Sequence, residues 1–346
     1  MSSNKLNVIG WDVGGAHLKA VLIDAEDRVL DAVQLACPLW QGIDKLDAAL
    51  GQVLALFGDA AADHAVTMTG ELADIFINRR DGVEKISRHL HDRLGGRARF
   101  YAAGDGFVEF SRVPGLHSRI ASANWHASAS YAARKLGQGL FIDIGSTTTD
   151  IVILSGGVPG NRGFSDAERM RADELVYTGV VRTPLMALAH AVAFNGHVYR
   201  VAAEHFATTA DIYRITGELM ETEDMSATAD GAEKSRSASM RRLARMLGHD
   251  REDAMDASWL ELANTFKAQQ LRHLESAISA LLARGQLDAQ APMIAAGAGS
   301  FLAEELARRF NRDLIRVEDL VSADSEEARH WAGVCFPAYA VACMMS

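Results

Sequence analysis

The sequence predicts an α/β protein of two domains, and three observations carry that expectation. An apolar run enters an acidic-glycine turn at Asp12–Lys19, the same pattern recurs at Asp143–Asp150, and the intervening apolar residues alternate between strand and helix periods. The chain has 346 residues, more than the ~250–300 at which a single core stops growing, so two cores are expected.

In the first half, Leu6–Trp11 reads as a strand, followed by Asp-Val-Gly-Gly, an alternating run over His17–Ile23 and an acidic turn over Asp24–Asp27. Val29–Leu35 adds a third strand. Leucines at 46, 50, 54 and 56 give Ile43–Phe57 a helical period. Ala65–Thr69 reads as a strand ending at Gly70-Glu71, Val83–Leu94 as a helix, Arg99–Ala103 as a strand and Ala127–Leu136 as a helix. About 130 residues after the first turn the pattern restarts: Leu140–Ile142, then Asp143-Ile-Gly-Ser, then an alternating strand over Asp150–Leu154 ending in Ser-Gly-Gly. The segment Glu221–Ser239 is polar and aperiodic, which suits a mobile loop, a lid or a disordered insertion. Trp259–Arg284 reads as a long helix, Ala291–Ala296 as a buried strand before Gly297-Ala298-Gly299, and Phe301–Phe310 as a helix. One amphipathic helix is expected from Ser325 toward the C-terminus.

Composition narrows the function. The chain is 49% hydrophobic and 23% charged, with a formal net charge of -10. Nucleic acids and anionic membranes call for a basic face, so neither is an expected partner. Cys37, Cys335 and Cys343 are too few for a disulfide framework and form no CxxC zinc pattern, which fits a reducing compartment. No signal-peptide h-region opens the sequence, and the run Val334–Met345 is interrupted by Pro337 and short of the ~20 residues that span a bilayer. A cytoplasmic enzyme is expected.

Three constellations carry chemistry. In Asp12-Val-Gly-Gly-Ala-His-Leu-Lys19, an aspartate at a strand end suits a hydrated Mg²⁺. Gly14 and Gly15 bring backbone N–H groups to phosphate oxygens, with His17 in the same turn, and Lys19 supplies a point charge. Asp143-Ile-Gly-Ser-Thr-Thr-Thr-Asp150 brackets Gly145, Ser146, Thr147 and Thr148 between aspartates, so Asp12, Asp143 and Asp150 are the candidate metal ligands. Ile294-Ala-Ala-Gly-Ala-Gly-Ser300-Phe301 runs a strand through Gly297 and Gly299 into a helix N-terminus, where Ser300 and free amides suit an anion. Each block read singly also fits an ordinary turn; finding the two acidic-glycine turns together favours phosphate binding.

Further candidates lie between the turns. Glu71, after a predicted strand end, suits a base or an amine anchor, or a helix-start carboxylate. Arg182, in Thr178-Gly-Val-Val-Arg-Thr-Pro184, suits a diphosphate or carboxylate fork, or a structural ion pair. Asn124-Trp125-His126 sets an aromatic platform beside two polar groups: Trp125 stacks on a ring or fills the core, and His126 is an acid/base or a structural histidine.

In this order the three blocks resemble the phosphate and adenosine motifs of the actin, heat-shock chaperone and sugar kinase superfamily. That resemblance implies two RNase H-like domains, residues 1–137 and 138–324, facing each other across a ligand cleft, with 221–239 lid-like and the last helix, about 325–346, returning to the first domain. ATP is the ligand it implies by default. The segments WDVGGAHLKAV, TGELADIF, ASANWHASA, FIDIGSTTTDIV, YTGVVRTPL, DIYRITGEL and TADG…RRLARML resemble a narrower branch. It comprises the hydantoinase/oxoprolinase-related proteins of tetrahydromethanopterin-linked one-carbon transfer, found in archaeal methanofuran biosynthesis and beside bacterial methylotrophic formaldehyde oxidation. Its archaeal member implies a transferase that joins an aminomethylfuran diphosphate to the phenol of a tyramine- or tyrosine-type acceptor and releases diphosphate with Mg²⁺. The catalytic set would be Asp12, Lys19, Asp143 and Glu71, the partners small diphosphates and phenols, with a homodimer left open. An ATP-dependent kinase or hydrolase is the alternative, and a non-catalytic assembly protein the third reading.

Overall fold

The computed structural model describes residues 6–58, 62–221 and 224–346. The chain divides into two compact units. Unit 1 comprises Met1–Gly139, Val152–Arg169 and Ile315–Ser346, and unit 2 comprises Leu140–Ile151 and Met170–Leu314.

Unit 1 is built on a six-stranded sheet of β1 (Asn7–Val13), β2 (His17–Ile23), β3 (Val29–Ala36), β4 (Ala62–Met68), β5 (Ala98–Ala102) and β6 (Gly106–Val108), in the order β3-β2-β1-β4-β5-β6. β1 pairs antiparallel with β2 and parallel with β4, and β4 pairs parallel with β5. The unbroken burial of β1 from Val8 to Val13 fits its central place, since parallel strands covered on both faces read as continuous apolar runs. Helices α1 (Ile43–Phe57), α2 (Arg79–Arg93), α3 (Val113–Ile120) and α4 (Asn124–Leu136) complete this part. Leu46, Leu50, Val53 and Phe57 of α1 join a core containing Trp11, Leu18, Val66 and Phe100, whereas Leu56 is exposed.

The second sheet takes β7 (Gly139–Ile144), β8 (Thr149–Ser155), β9 (Val158–Pro159), β10 (Leu175–Val176), β13 (Met293–Ala296) and β14 (Leu314–Arg316) in the order β10-β8-β7-β13-β14, with β9 on β8; β11 (Ala191–Phe194) and β12 (His197–Arg200) form a separate hairpin. β7 and β13 are parallel. The helices here are α5 (Asp166–Arg171), α6 (Thr209–Thr216), α7 (Arg236–Arg245), α8 (Asp256–Leu282) and α9 (Ser300–Arg309). The polar segment 221–239 is tied down where it is described, with residues 222 and 223 lying outside the described residues. Asp224 is buried against Arg214 and Lys234, Asp230 meets the fully buried Arg242, and α7 begins inside the segment at Arg236. Asp224 and Asp230 thus act as counter-ions to arginines, which periodicity cannot reveal.

The single amphipathic helix expected after Ser325 is two helices, α10 (Glu326–Val334) and α11 (Phe336–Met345), separated at Cys335. Pro337 opens the second, because a residue without an N–H fits only a first helical turn. α11 is not amphipathic: Phe336–Ala342 is buried throughout. It packs on β1 so closely that a Cβ on Gly10 would lie 1.9 Å from the Ala338 carbonyl oxygen.

Candidate active site

The two acidic-glycine turns have one geometry. In unit 1 the Gly14 N–H donates to the His17 oxygen at 2.9 Å, and in unit 2 the Gly145 N–H donates to the Thr148 oxygen at 2.9 Å. Each bond closes a turn beginning two residues after the aspartate. No acceptor is engaged by the N–H groups of Gly15 and Ala16, or of Ser146 and Thr147, among the described residues. Successive free amides at a turn form a concave anion site. The following strand-to-glycine turns repeat as well. A Cβ on Gly70 would lie 3.1 Å from the Val13 and Gly14 oxygens, and one on Gly297 would lie 2.5 Å from the Ile144 oxygen and 2.4 Å from Asp143 Oδ1. Gly297 has φ +80°, so both backbone angle and space require glycine there. The residue after each glycine differs: Glu71 in unit 1, Ala298 in unit 2.

Unit 1 gathers buried polar groups at the C-terminal ends of β1 and β4, the end of a parallel pair where ligands bind in α/β sheets. Asp12 pairs in register with Thr67. Asp12 Oδ1, Thr67 Oγ1 and Glu71 Oε2 are all buried without a hydrogen-bond partner. Burial pushes the Asp12 carboxyl above its ordinary range, opposed by Lys19 and a hydrogen bond from Asn124. Burial also pushes Glu71 up to about 7, opposed chiefly by Ser122, whose hydroxyl donates to Glu71 Oε1 at 2.6 Å. A carboxyl poised near neutrality with one free oxygen is equipped to take a proton. His17 is lowered by burial and by Lys19, which favours neutral imidazole in the turn.

Other expected residues take different places. The Lys19 ammonium donates to the Val334 carbonyl at 2.8 Å, the last residue of α10, so it also serves that helix C-terminus. Trp125 is buried with the Arg169 guanidinium 3.6 Å from its ring centroid, so a cation occupies a stacking face. His126 is buried, its Nδ1 bonded to the Tyr101 hydroxyl at 2.8 Å, and burial with Arg169 and Arg119 lowers it to about 4. Both side chains therefore serve packing, and of this trio Asn124 alone reaches the Asp12 cluster. In unit 2, Gly299 follows the strand into α9, its N–H bonded to the Ile144 oxygen at 2.8 Å, and Ser300 is half-buried at the first turn of α9. Asp143 and Asp150 are half-buried, Asp150 opposite Leu175. The Arg182 side chain is exposed, while the backbone N–H groups of Val181 and Arg182 hold the Ser146 oxygen at 3.1 and 2.9 Å. A Cβ on Gly179 would meet three backbone atoms of Gly145–Thr147 at 2.5 Å, and Gln270 clamps Gly179 and Thr178 from α8.

No group of three His, Cys, Asp or Glu side chains converges among the described residues. Mg²⁺ keeps most of its waters and takes one or two carboxylates, so the unpartnered Asp12 Oδ1 fits that ion. Thr67 and Ser122 were missed from the sequence. Strand register places Thr67 beside Asp12, whereas Ser122 meets Glu71 across 51 residues with no sequence signal.

Comparison with known proteins adds the rest. The chain is 26% identical over 340 residues, 98% of its length and 97% of the relative's, to the (4-{4-[2-(gamma-L-glutamylamino)ethyl]phenoxymethyl}furan-2-yl)methanamine synthase of Methanocaldococcus jannaschii. It is 35% identical over 112 residues to the synthase of the same name from Methanococcus vannielii, covering 32% of this chain and 50% of that one. In fold it resembles the nucleotide-free structure of acetone carboxylase, with a TM-score of 0.54 at 9% identity over 97% of this chain and 70% of that one. No helix among the described residues is long and apolar enough to cross a membrane. A family model for hydantoinase/oxoprolinase proteins matches residues 63–323, so the chain belongs to the hydantoinase/oxoprolinase family.

Proposed function

We propose that this protein is a transferase of methanofuran-type carrier biosynthesis that forms an aryl ether with loss of diphosphate. The observation that carries the reading is the near-neutral carboxyl of Glu71, which follows β4 in unit 1, the unit that also carries the amide-lined turn Gly14–His17; unit 2 carries a turn of the same geometry. The turns suit phosphate oxygens; the carboxyl suits proton removal from a phenol, whose pKa near ~10 leaves it a poor nucleophile at neutral pH. The name of the full-length relative describes a phenoxymethyl-furan, the ether such a reaction would make.

In the proposed step the phenol oxygen bonds to the furanylmethyl carbon, its proton passes to Glu71 Oε2, and the carbon–oxygen bond to diphosphate breaks with the electron pair leaving on diphosphate. The Gly15 and Ala16 amides of unit 1 donate to phosphate oxygens as charge develops. Asn124 favours the ionised form of Asp12. Asp12 would hold Mg²⁺, which would supply further charge neutralisation at the leaving group.

The test is incubation with an aminomethylfuran diphosphate and tyramine or γ-glutamyltyramine, following diphosphate and the ether by mass spectrometry without nucleotide. Equimolar release and ether formation support the proposal. Turnover of ATP with no ether formed would replace it with the kinase or hydrolase reading, which the open N-terminus of α9 keeps available. Glu71→Gln should lower kcat about 10²–10⁴-fold with KM little changed.

A further inference from the structure

Five described residues other than glycine have positive φ: Asp27, Ser122, Asp173, Asn195 and Asn311. Four are Asp or Asn, whose short side chains tolerate that region. Ser122, at φ +50°, is the exception. It lies between α3 and α4, where glycine would satisfy the backbone with less strain. Its hydroxyl is what glycine would lack, and that hydroxyl donates to Glu71 Oε1 at 2.6 Å across 51 residues. Strain held at a functional site implies that the surrounding structure over-determines the residue.

Glu71 is also held by its backbone. Its Cα and carbonyl oxygen lie against Gly82 of α2, where an added Cβ would come within 2.8 and 2.5 Å of them. With the backbone fixed and Oε1 taken, Oε2 is the carboxylate oxygen left without a partner. We infer that Ser122 is a positioning residue that selects Glu71 Oε2 as the proton-accepting atom. This inference rests on the reading of Glu71 as the base. The other charged groups facing Glu71 are Arg79, which favours its ionised form, and Asp166, which opposes it. Those two form an ion pair with each other. The Ser122 hydroxyl is the side-chain donor that supports the carboxylate directly, beside a backbone N–H.

The experiment compares Ser122→Ala and Ser122→Gly with the wild-type chain by ¹³C NMR titration of the Glu71 carboxyl, its signal assigned by its loss in Glu71→Gln. Both variants lose the hydroxyl, so the Glu71 midpoint should rise in each by about one pH unit, and the acid limb of kcat should move with it while KM holds. Ser122→Gly should melt above Ser122→Ala, because it alone releases the positive-φ strain. Should Ser122→Ala not fold, Ser122→Gly carries the test. An unchanged midpoint in the folded variants overturns the inference. Full ether formation by Glu71→Gln would overturn the base reading, and with it Ser122's catalytic role, while a shifted midpoint would still establish the Ser122–Glu71 coupling.

Discussion

At the residue scale, the chemistry concentrates on Glu71. Its folded-state midpoint of about 7 lies above the ordinary 4.5. Between those values the folded chain binds the extra proton, so stability falls as pH rises through that window. Below pH 4.5 both states are protonated and the effect is absent. The shift corresponds to roughly 3 kcal/mol at most. Glu71→Gln removes it, so thermal melts at pH 8 should find this variant more stable than wild type, with the difference shrinking toward pH 5. A stabilised, inactive variant would mark Glu71 as a site residue retained at a cost in stability. His126 gives the opposite outcome. Its replacement by alanine leaves the buried Tyr101 hydroxyl with fewer partners and should lower stability by about 1–3 kcal/mol, while the pH profile of turnover keeps its shape. The sequence singles out Glu71 and His126 alike; only burial and partners separate them, because both quantities depend on segments far apart in the chain.

At the scale of elements, the strands and turns of the two hairpins were legible because an apolar run entering Asp-x-Gly has few structural options. The same holds for α1, α8 and α9, whose apolar periods match the observed helices. Short pieces such as β9 and β10, two residues each, carry no period to read. The 221–239 segment has a polar composition that reads as loose, yet its Asp224 and Asp230 pair with Arg214 and Arg242, a pairing that single-residue polarity hides. Gly297 provides an element-level test. Gly297→Ala adds a Cβ 2.4 Å from Asp143 Oδ1 at φ +80°, so it should displace that carboxylate and weaken diphosphate binding in calorimetry. The accompanying destabilisation should be about 1–3 kcal/mol. Ala298→Gly, one residue on, adds no such contact and should bind as wild type does.

Across the whole molecule, the α/β class followed from the repeated hairpin, and the repeat is geometric as well as sequential: the same turn bond, the same two free amides, the same glycine after the neighbouring parallel strand. What did not repeat is the acidic residue after that glycine, and this asymmetry is where the proposed chemistry resides. The assignment of chain to unit was less legible, since Val152–Arg169 joins unit 1 through packing that no local pattern announces. Gly10→Ala should disrupt unit 1 as a whole, because its Cβ would collide with the Ala338 carbonyl and lift α11 from β1. Loss of the cooperative melt, or recovery only as insoluble protein, is the expected result.

The seating of α11 on β1 also bears on how the chain is made. Ribosomes deliver β1 first and α11 hundreds of residues later, while the segments of unit 2 are all in hand once Leu314 has emerged. Domains tend to fold as they leave the exit tunnel, N-terminal first. Here the order is inverted: the unit begun first is completed last. The face of β1 that α11 covers gains that cover only after α11 has been synthesised.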